Sequence, residues 1–339
     1  MTAVIFGCYH ITNRRCAYAL QEIFLSNLHV LAAAKLAPLY AQKLADQFTV
    51  HDRPADLQSA EFAELAPTIR AIAAQGETVL RADLIDKLPA LKLISVMGVG
   101  YDGIDVQAAK ARGIVVTHTP NVLNDDVADL ALGLMLSTSR QLCAADRYVR
   151  AGSWPAGPMP LARKMSGARV GIVGMGRIGQ AIAHRATAFG MSIAYTSRSA
   201  KDVPYRYLPT SLALAAESDF LVIITPGGAS TLKMIDAPVL AALGAKGILI
   251  NVARGSVVDE AALIEALETG VIAGAGLDVF ESEPAVPERL RNMPHVVLSP
   301  HIGSATAHTR AAMADLAVAN LRACFDGTPL LSPVPECAD

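Results

Sequence analysis

The sequence predicts an α/β fold built from two parallel-sheet units. Short apolar runs alternate with helix-like stretches in two successive series, and at 339 residues the chain is longer than one hydrophobic core usually sustains. The composition agrees, since 52% hydrophobic and 18% charged residues suit a packed globular protein and argue against disorder.

The first series starts at His29 with HVLAAA and continues through PLYAQKLADQ, FTVHD, LQSAEFAEL, IRAIAA, ADLIDKL and KLISVMG. Strands separated by helices imply parallel pairing, because a parallel connection has to cross a face of the sheet. The series closes at VVTHTP, where Pro120 disfavours helix for the residue before it. NVLNDDVADLALGLMLSTSRQL then reads as one helix. Asn124, Asp125 and Asp126 supply its cap and first-turn acids, and Val127, Leu130, Leu134 and Leu136 leave little polar face, so it is expected to be buried between domains or subunits. The Gly/Pro-rich arm AGSWPAGPMPL reads as a loop. The second series is RVGIVG, SIAYTS, FLVIITP, GILINVA, AGAGLDVF and VVLSPH. From Ala305 to Phe325 the tail reads as one amphipathic helix, with Ser304 as its cap and Gly327 beyond its end. Because the two chain ends flank the second series, the tail is expected to return to the first unit. Residues 1–28 read as an extension without an assigned role.

A formal charge of -2 leaves no electrostatic footprint for nucleic acid or an anionic membrane. No apolar stretch approaches the roughly 20 residues that span a bilayer. At the N-terminus, Gln21 and Glu22 interrupt any signal-like run after Arg14 and Arg15. The five cysteines (Cys8, Cys16, Cys143, Cys324, Cys337) are scattered and never paired as C-x-x-C, which predicts a reducing, cytoplasmic setting without disulfides. His118, His184, His295 and His308 share no metal-ligand spacing, so no metal site is expected. Asp259 and Glu260 read as helix-capping acids ahead of AALIEALETG.

GMGRIG places Gly174, Gly176 and Gly179 between the apolar run RVGIV and the helical stretch RIGQAIAHRATAF. That order is the dinucleotide fingerprint: the glycines permit a tight turn, close approach of backbone to a pyrophosphate, and packing of helix on strand. About 20 positions further on, an acid would hydrogen-bond the ribose 2′-hydroxyl of NAD. Ser197, Arg198 and Ser199 stand there instead. Nothing then repels a 2′-phosphate, and Arg198 offers it a planar cationic fork, so NADP(H) is expected to be preferred over NAD(H).

Three further segments end apolar strands with charge: NVARGSVVDE with Arg254, GAGLDVFESEP with Asp278 and Glu283, and VVLSPHIGSAT with His301. Open α/β sheets put their ligand crevice at such strand ends. Reduction of a ketone by hydride leaves an alkoxide that needs a proton from an acid of near-neutral pKa, which a histidine held by a carboxylate supplies. An arginine matches the carboxylate of a 2-keto acid.

With GVGYDGIDV, NVLNDDVADLALGLML, GIVGMGRIGQAIA, INVARGSVVDE, GAGLDVFESEP and SPHIGSAT in this order, the chain resembles the D-isomer-specific 2-hydroxyacid dehydrogenase family over about His29 to Pro335, and most closely its glyoxylate and hydroxypyruvate reductases. The resemblance implies two Rossmann-like domains: a discontinuous substrate domain, residues 29–118 and 305–339, and an inserted NAD(P)-binding domain, residues 119–304. It implies Arg254, Glu283 and His301 as the catalytic residues and Val99 and Gly100 as a loop whose amides receive the substrate carboxylate. The implied cofactor contacts extend from the fingerprint to Arg177, Ile178, Thr225, Pro226, Val252, Ala253, Gly303 and Asp278, the last near the nicotinamide amide. TPGGAST at 225–231 departs from the commoner leucine-bearing version of its loop. The family's usual form is a homodimer built on the long buried helix, with an aromatic from the following arm reaching into the partner's pocket; here that aromatic is Trp154. The implied activity is NADPH-dependent reduction of small 2-keto acids such as glyoxylate and hydroxypyruvate. Reduction of aromatic pyruvates such as hydroxyphenylpyruvate is the alternative within the class, and a nucleotide-sensing binding protein the alternative outside it. Glu283, where the formate-oxidising branch has Gln, argues against formate.

Overall fold

A computed structural model describes residues 28–338, so the N-terminal extension lies outside the described residues except for Leu28. The chain divides into two units, residues 28–122 with 307–338, and Leu123–Thr306. Both are parallel α/β sheets, as the alternation of apolar and helical segments predicts.

The first unit contains β1 (His29–Ala32), β2 (Thr49–Asp52), β3 (Ile69–Gln75), β4 (Leu93–Met97) and β5 (Val115–Thr117), in the sheet order β2-β1-β3-β4-β5 with every pair parallel. Every residue of β4 is buried, because helices cover both faces of the sheet. The tail helix spans Ala307–Asp326, starting two residues later than Ala305, and packs on β4 and on the helix Pro38–Ala45. Ser95 in β4 donates to the Ala317 carbonyl at 2.9 Å, and Lys43 pairs with Asp315 at 2.5 Å.

The second unit contains β6 (Arg169–Val173), β7 (Ser192–Thr196), β8 (Arg206–Tyr207), β9 (Phe220–Ile223), β10 (Ile248–Asn251), β11 (Gly274–Leu277) and β12 (Val296–Leu298). Their order is β12-β11-β10-β9-β6-β7-β8, again all parallel. From β6 the chain builds outward to β8, then returns to β9 on the other side of β6. A crevice opens outside the carboxyl ends at such a reversal.

The segment expected to be one helix through Leu142 is two. Asn124–Ser139 is helical, Gln141 adopts a left-handed conformation (φ 52°), and a second helix covers Leu142–Arg150. Asn124 is inside the first helix, and the cap position belongs to Leu123, which makes no side-chain cap bond. The acids of the first turns serve another element: Asp125 and Asp129 pair with Arg185 at 3.0 and 2.5 Å. Burial of this helix is one-sided. Val127, Ala131, Leu134 and Met135 pack on the helix Arg177–Ala188 and on β10 to β12 of the same unit, while Asp125, Asp129 and Gly133 are exposed. The arm after it carries a 3₁₀ turn at Trp154–Ala156, pinned by a 2.7 Å bond from the Tyr148 hydroxyl to the Gly157 carbonyl. Asp259 caps the helix Glu260–Glu268 by accepting from the Ala262 amide, as expected. Among the described residues no helix is long and apolar enough to cross a membrane.

Candidate active site

β10, β11 and β12 are adjacent, so the residues that follow them emerge side by side at a spacing of about 4.8 Å per strand. After β10 comes Val252-Ala253-Arg254, after β11 Asp278, and after β12 Ser299-Pro300-His301. Gly255 brings the first of these segments against the second. A Cβ there would lie 1.9 Å from the Phe280 carbonyl carbon, so no other residue permits this approach.

Glu283 and His301 form the centre. The Oε2 atom of Glu283 lies 2.7 Å from Nδ1 of His301, while Oε1 accepts from the Phe280 amide at 2.9 Å. Both side chains retain 27% exposure, enough for a small molecule to reach them. Burial pushes the Glu283 carboxyl up, but its bonds from His301 and Phe280 and the charges of His301 and Arg254 prevail and hold it below the ordinary glutamate value. Arg254 is thus electrostatically part of the same cluster; its Nη1 donates to the Ala253 carbonyl at 2.8 Å.

Behind them are two polar residues that are almost fully buried. Asp278, 2% exposed, accepts from the Ser299 hydroxyl at 2.6 Å, the Ile302 amide at 2.9 Å and the Gly303 amide at 2.8 Å. Burial raises its carboxyl pKa against these three bonds. The loop so held carries His301 in a left-handed backbone conformation, φ 52°. Asn251, 1% exposed, ties down the Arg254 segment. Neither Asn251 nor Ser299 stands out in the sequence reading, and the signal available for both was a polar residue closing an otherwise apolar strand.

The dinucleotide fingerprint lies at the carboxyl end of β6. Gly174 (φ 110°) leaves no room for a Cβ, which would meet the Ile224 carbonyl at 2.8 Å, and one on Gly179 would meet the Gly174 oxygen at 2.1 Å. At Gly176, by contrast, an added Cβ would enter open space, and Gly176 heads the helix Arg177–Ala188 without a side-chain cap. An open backbone cradle at an uncapped helix start fits a pyrophosphate. Arg177 is exposed and Ile178 half-buried beside it. After β7, Ser197 donates to the Ser199 carbonyl at 2.6 Å, and Arg198 is exposed. Thr225 and Pro226 follow β9 in a loop closed by a 2.7 Å bond from Thr231 to the Pro226 carbonyl. In the first unit, Val99 and Gly100 are half-buried after β4, and Nδ1 of His118 lies 3.0 Å from the Val99 carbonyl, which gives that histidine a structural task. Trp154 is 66% exposed.

A family profile described as D-isomer specific 2-hydroxyacid dehydrogenase, NAD binding domain, matches residues 132–303. The chain belongs to this family. Glyoxylate/hydroxypyruvate reductase A of Arabidopsis thaliana is 53% identical over 268 residues, 79% of this chain and 86% of its own length. Hydroxyphenylpyruvate reductase of Plectranthus scutellarioides is 50% identical over 270 residues, with the same coverages of 79% and 86%. Among solved structures, an NADPH-dependent glyoxylate/hydroxypyruvate reductase of Sinorhizobium meliloti in complex with NADP and malonate superposes with a TM-score of 0.86 at 47% identity, over 92% of this chain and 98% of that one. Membership in the D-isomer-specific 2-hydroxyacid dehydrogenase family accounts for the two parallel sheets.

Proposed function

We propose that this chain reduces small 2-keto acids such as glyoxylate and hydroxypyruvate to 2-hydroxy acids, using NADPH in preference to NADH. The observation that carries this reading is the 2.7 Å Glu283–His301 pair beside Arg254 on neighbouring strand ends. When bound, NADPH supplies the hydride. Arg254 binds the substrate carboxylate through its planar fork. Glu283 holds the imidazole by Nδ1 and favours its cationic form, and His301 donates the Nε2 proton to the developing alkoxide oxygen. Gly174, Gly176, Arg177, Ile178 and Gly179 would hold the pyrophosphate, and Ser197, Arg198 and Ser199 the 2′-phosphate. Thr225, Pro226, Val252, Ala253, Asp278 and Gly303 would line the rest of the cofactor site. The Val99 and Gly100 amides are proposed as donors to the substrate carboxylate. A cytoplasmic setting suits the free thiols of Cys143, Cys324 and Cys337.

The cofactor preference is directly testable. Relative kcat/KM for glyoxylate, hydroxypyruvate and phenylpyruvates, assayed with NADPH and NADH in parallel, should be highest for the small acids with NADPH. The double variant Ser197→Asp, Arg198→Ala installs the 2′-hydroxyl acceptor and removes the cationic fork, so it should invert the order of the two cofactors. An unmodified chain that uses NADH better would overturn the reading of this strand end.

Similarity to the hydroxyphenylpyruvate reductase keeps aromatic pyruvates as the second reading. We propose that the protein is a homodimer built on Asn124–Ser139 and the following arm, where Leu142, Val149, Trp154 and Leu161 are exposed apolar side chains. In that dimer Trp154 closes the partner's pocket and limits substrate size. Repeating the substrate panel on Trp154→Ala should then widen acceptance toward phenylpyruvates; an unchanged preference would leave Trp154 as an interface anchor.

A further inference from the structure

We propose that Asn251 is a positioning residue for Arg254, fixing the Ala253 amide and the Arg254 carbonyl so that the guanidinium leaves β10 in one direction. The inference rests on the reading of Arg254 as the substrate carboxylate anchor.

Asn251 is the last residue of β10 and, at 1% exposure, the polar end of the buried run ILIN. A carboxamide in such a place is destabilising unless both of its ends are hydrogen-bonded. Both are, and both bonds go forward into the same short segment. Its Oδ1 accepts from the Ala253 amide at 3.1 Å, and its Nδ2 donates to the Arg254 carbonyl at 3.0 Å. One partner is a donor and the other an acceptor, so the amide orientation is fixed by chemistry: the flipped carboxamide would face like with like at both ends. The main-chain carbonyl of Asn251 in turn accepts from the Asp278 amide at 2.9 Å. The root of the Arg254 segment is therefore joined to the residue that holds the His301 loop.

Neither side-chain bond contributes to the sheet, whose β10 pairings are made by backbone. A leucine or valine would pack at this strand end without the desolvation cost. What the carboxamide adds is a closed ring of bonds around the peptide that carries Arg254, with Gly255 wedged against Phe280 just beyond. Swinging that peptide would displace the guanidinium tip, and a misplacement of about 1 Å in a reacting complex costs on the order of 10²-fold in rate. The sequence motif singled out Arg254 but gave Asn251 no task, and the geometry assigns one.

The test is a double-mutant cycle on the NADPH-loaded protein, with glyoxylate KM and the inhibition constant of oxamate, an unreactive 2-keto acid analogue, as readouts. Asn251→Ser removes the bond to the Arg254 carbonyl and leaves only a weaker hydroxyl acceptor for the Ala253 amide, without adding charge. It should raise the glyoxylate KM and the oxamate constant on the order of 10–10²-fold. In an Arg254→Ala background the same change should cost nothing further, because the residue acts through Arg254. Asn251→Ala, which removes both bonds without placing a charge in the buried site, runs the same cycle should the serine variant not fold. Additive losses in the Arg254→Ala background would overturn the proposal. So would an unchanged oxamate constant in a folded Asn251 variant. Failure of the functional reading is separate from both, since it would appear as an unmodified chain that neither turns over glyoxylate nor binds oxamate.

Discussion

Replacing His301 with alanine should lower kcat for glyoxylate reduction on the order of 10²–10⁴-fold and leave the Kd for NADPH where it was. The expectation follows from the imidazole's bonding. Nδ1 is engaged by Glu283 at 2.7 Å, so on the proposed reading the proton given to the alkoxide would come from Nε2. The Asp278 carboxylate accepts from the Ile302 and Gly303 main-chain amides, and these bonds do not involve the His301 side chain, so the loop and cofactor binding should be retained. The Glu283–His301 pair should also set the pH dependence. Coupling that holds the Glu283 carboxyl low stabilises, by reciprocity, the imidazolium beside it. Glu283→Gln, which removes that charge, should then move the alkaline limb of the reduction profile to lower pH. Stopped-flow single turnovers separate these effects from product release, and fluorescence titration gives the Kd. A fully active His301→Ala protein would exclude His301 as the acid.

Much of the second unit is legible in its sequence because its strands are buried on both faces. FLVI is a continuous apolar run and ILIN is apolar up to its last residue, Asn251, and each is a fully buried strand. β8 escapes the same reading because it is two residues, Arg206 and Tyr207, on an edge, where burial writes no pattern. The break between the helices Asn124–Ser139 and Leu142–Arg150 also escapes. No glycine or proline marks it, and Gln141 is in the left-handed region, which a glutamine does not favour by itself.

For the site, the sequence displays the ends of the strands but not what joins them. Arg254, Glu283 and His301 can each be found as a charged residue after an apolar run. The contacts that assemble them run between segments far apart in the chain: Gly255 on Phe280, Asp278 to the Ile302 and Gly303 amides, and the Asp278 amide to the Asn251 carbonyl. Spacing along one strand carries no trace of such contacts. A glycine in "ARG" is as compatible with a turn as with a close approach, and only the 1.9 Å separation distinguishes them.

Arg254→Lys should lose both substrate affinity and rate, and Arg254→Ala should lose more. Lysine keeps the charge but replaces a planar fork with a single ammonium, so at least one charge-assisted hydrogen bond to the substrate carboxylate disappears. Each such bond contributes about 1.5–3 kcal/mol, so kcat/KM should fall on the order of 10–10²-fold for lysine. In the alanine variant both bonds and the charge go, and losses on the order of 10²–10⁴-fold are expected from the same increments. The loss should be divided between KM and kcat. A fork that only bound substrate would raise KM alone, but a fork that also aims the keto carbon is worth more in the transition state, so its removal lowers kcat as well. Structure argues for aiming. The guanidinium is tethered by its bond to the Ala253 carbonyl, the segment beneath it is tied to Asn251, and its charge is felt at Glu283, the residue paired with His301. The measurement is steady-state kinetics with glyoxylate at saturating NADPH, alongside the NADPH Kd, which should not change. Unchanged kinetics in Arg254→Lys would remove the fork from the mechanism, and a rise in KM with kcat intact would reduce Arg254 to a binding charge.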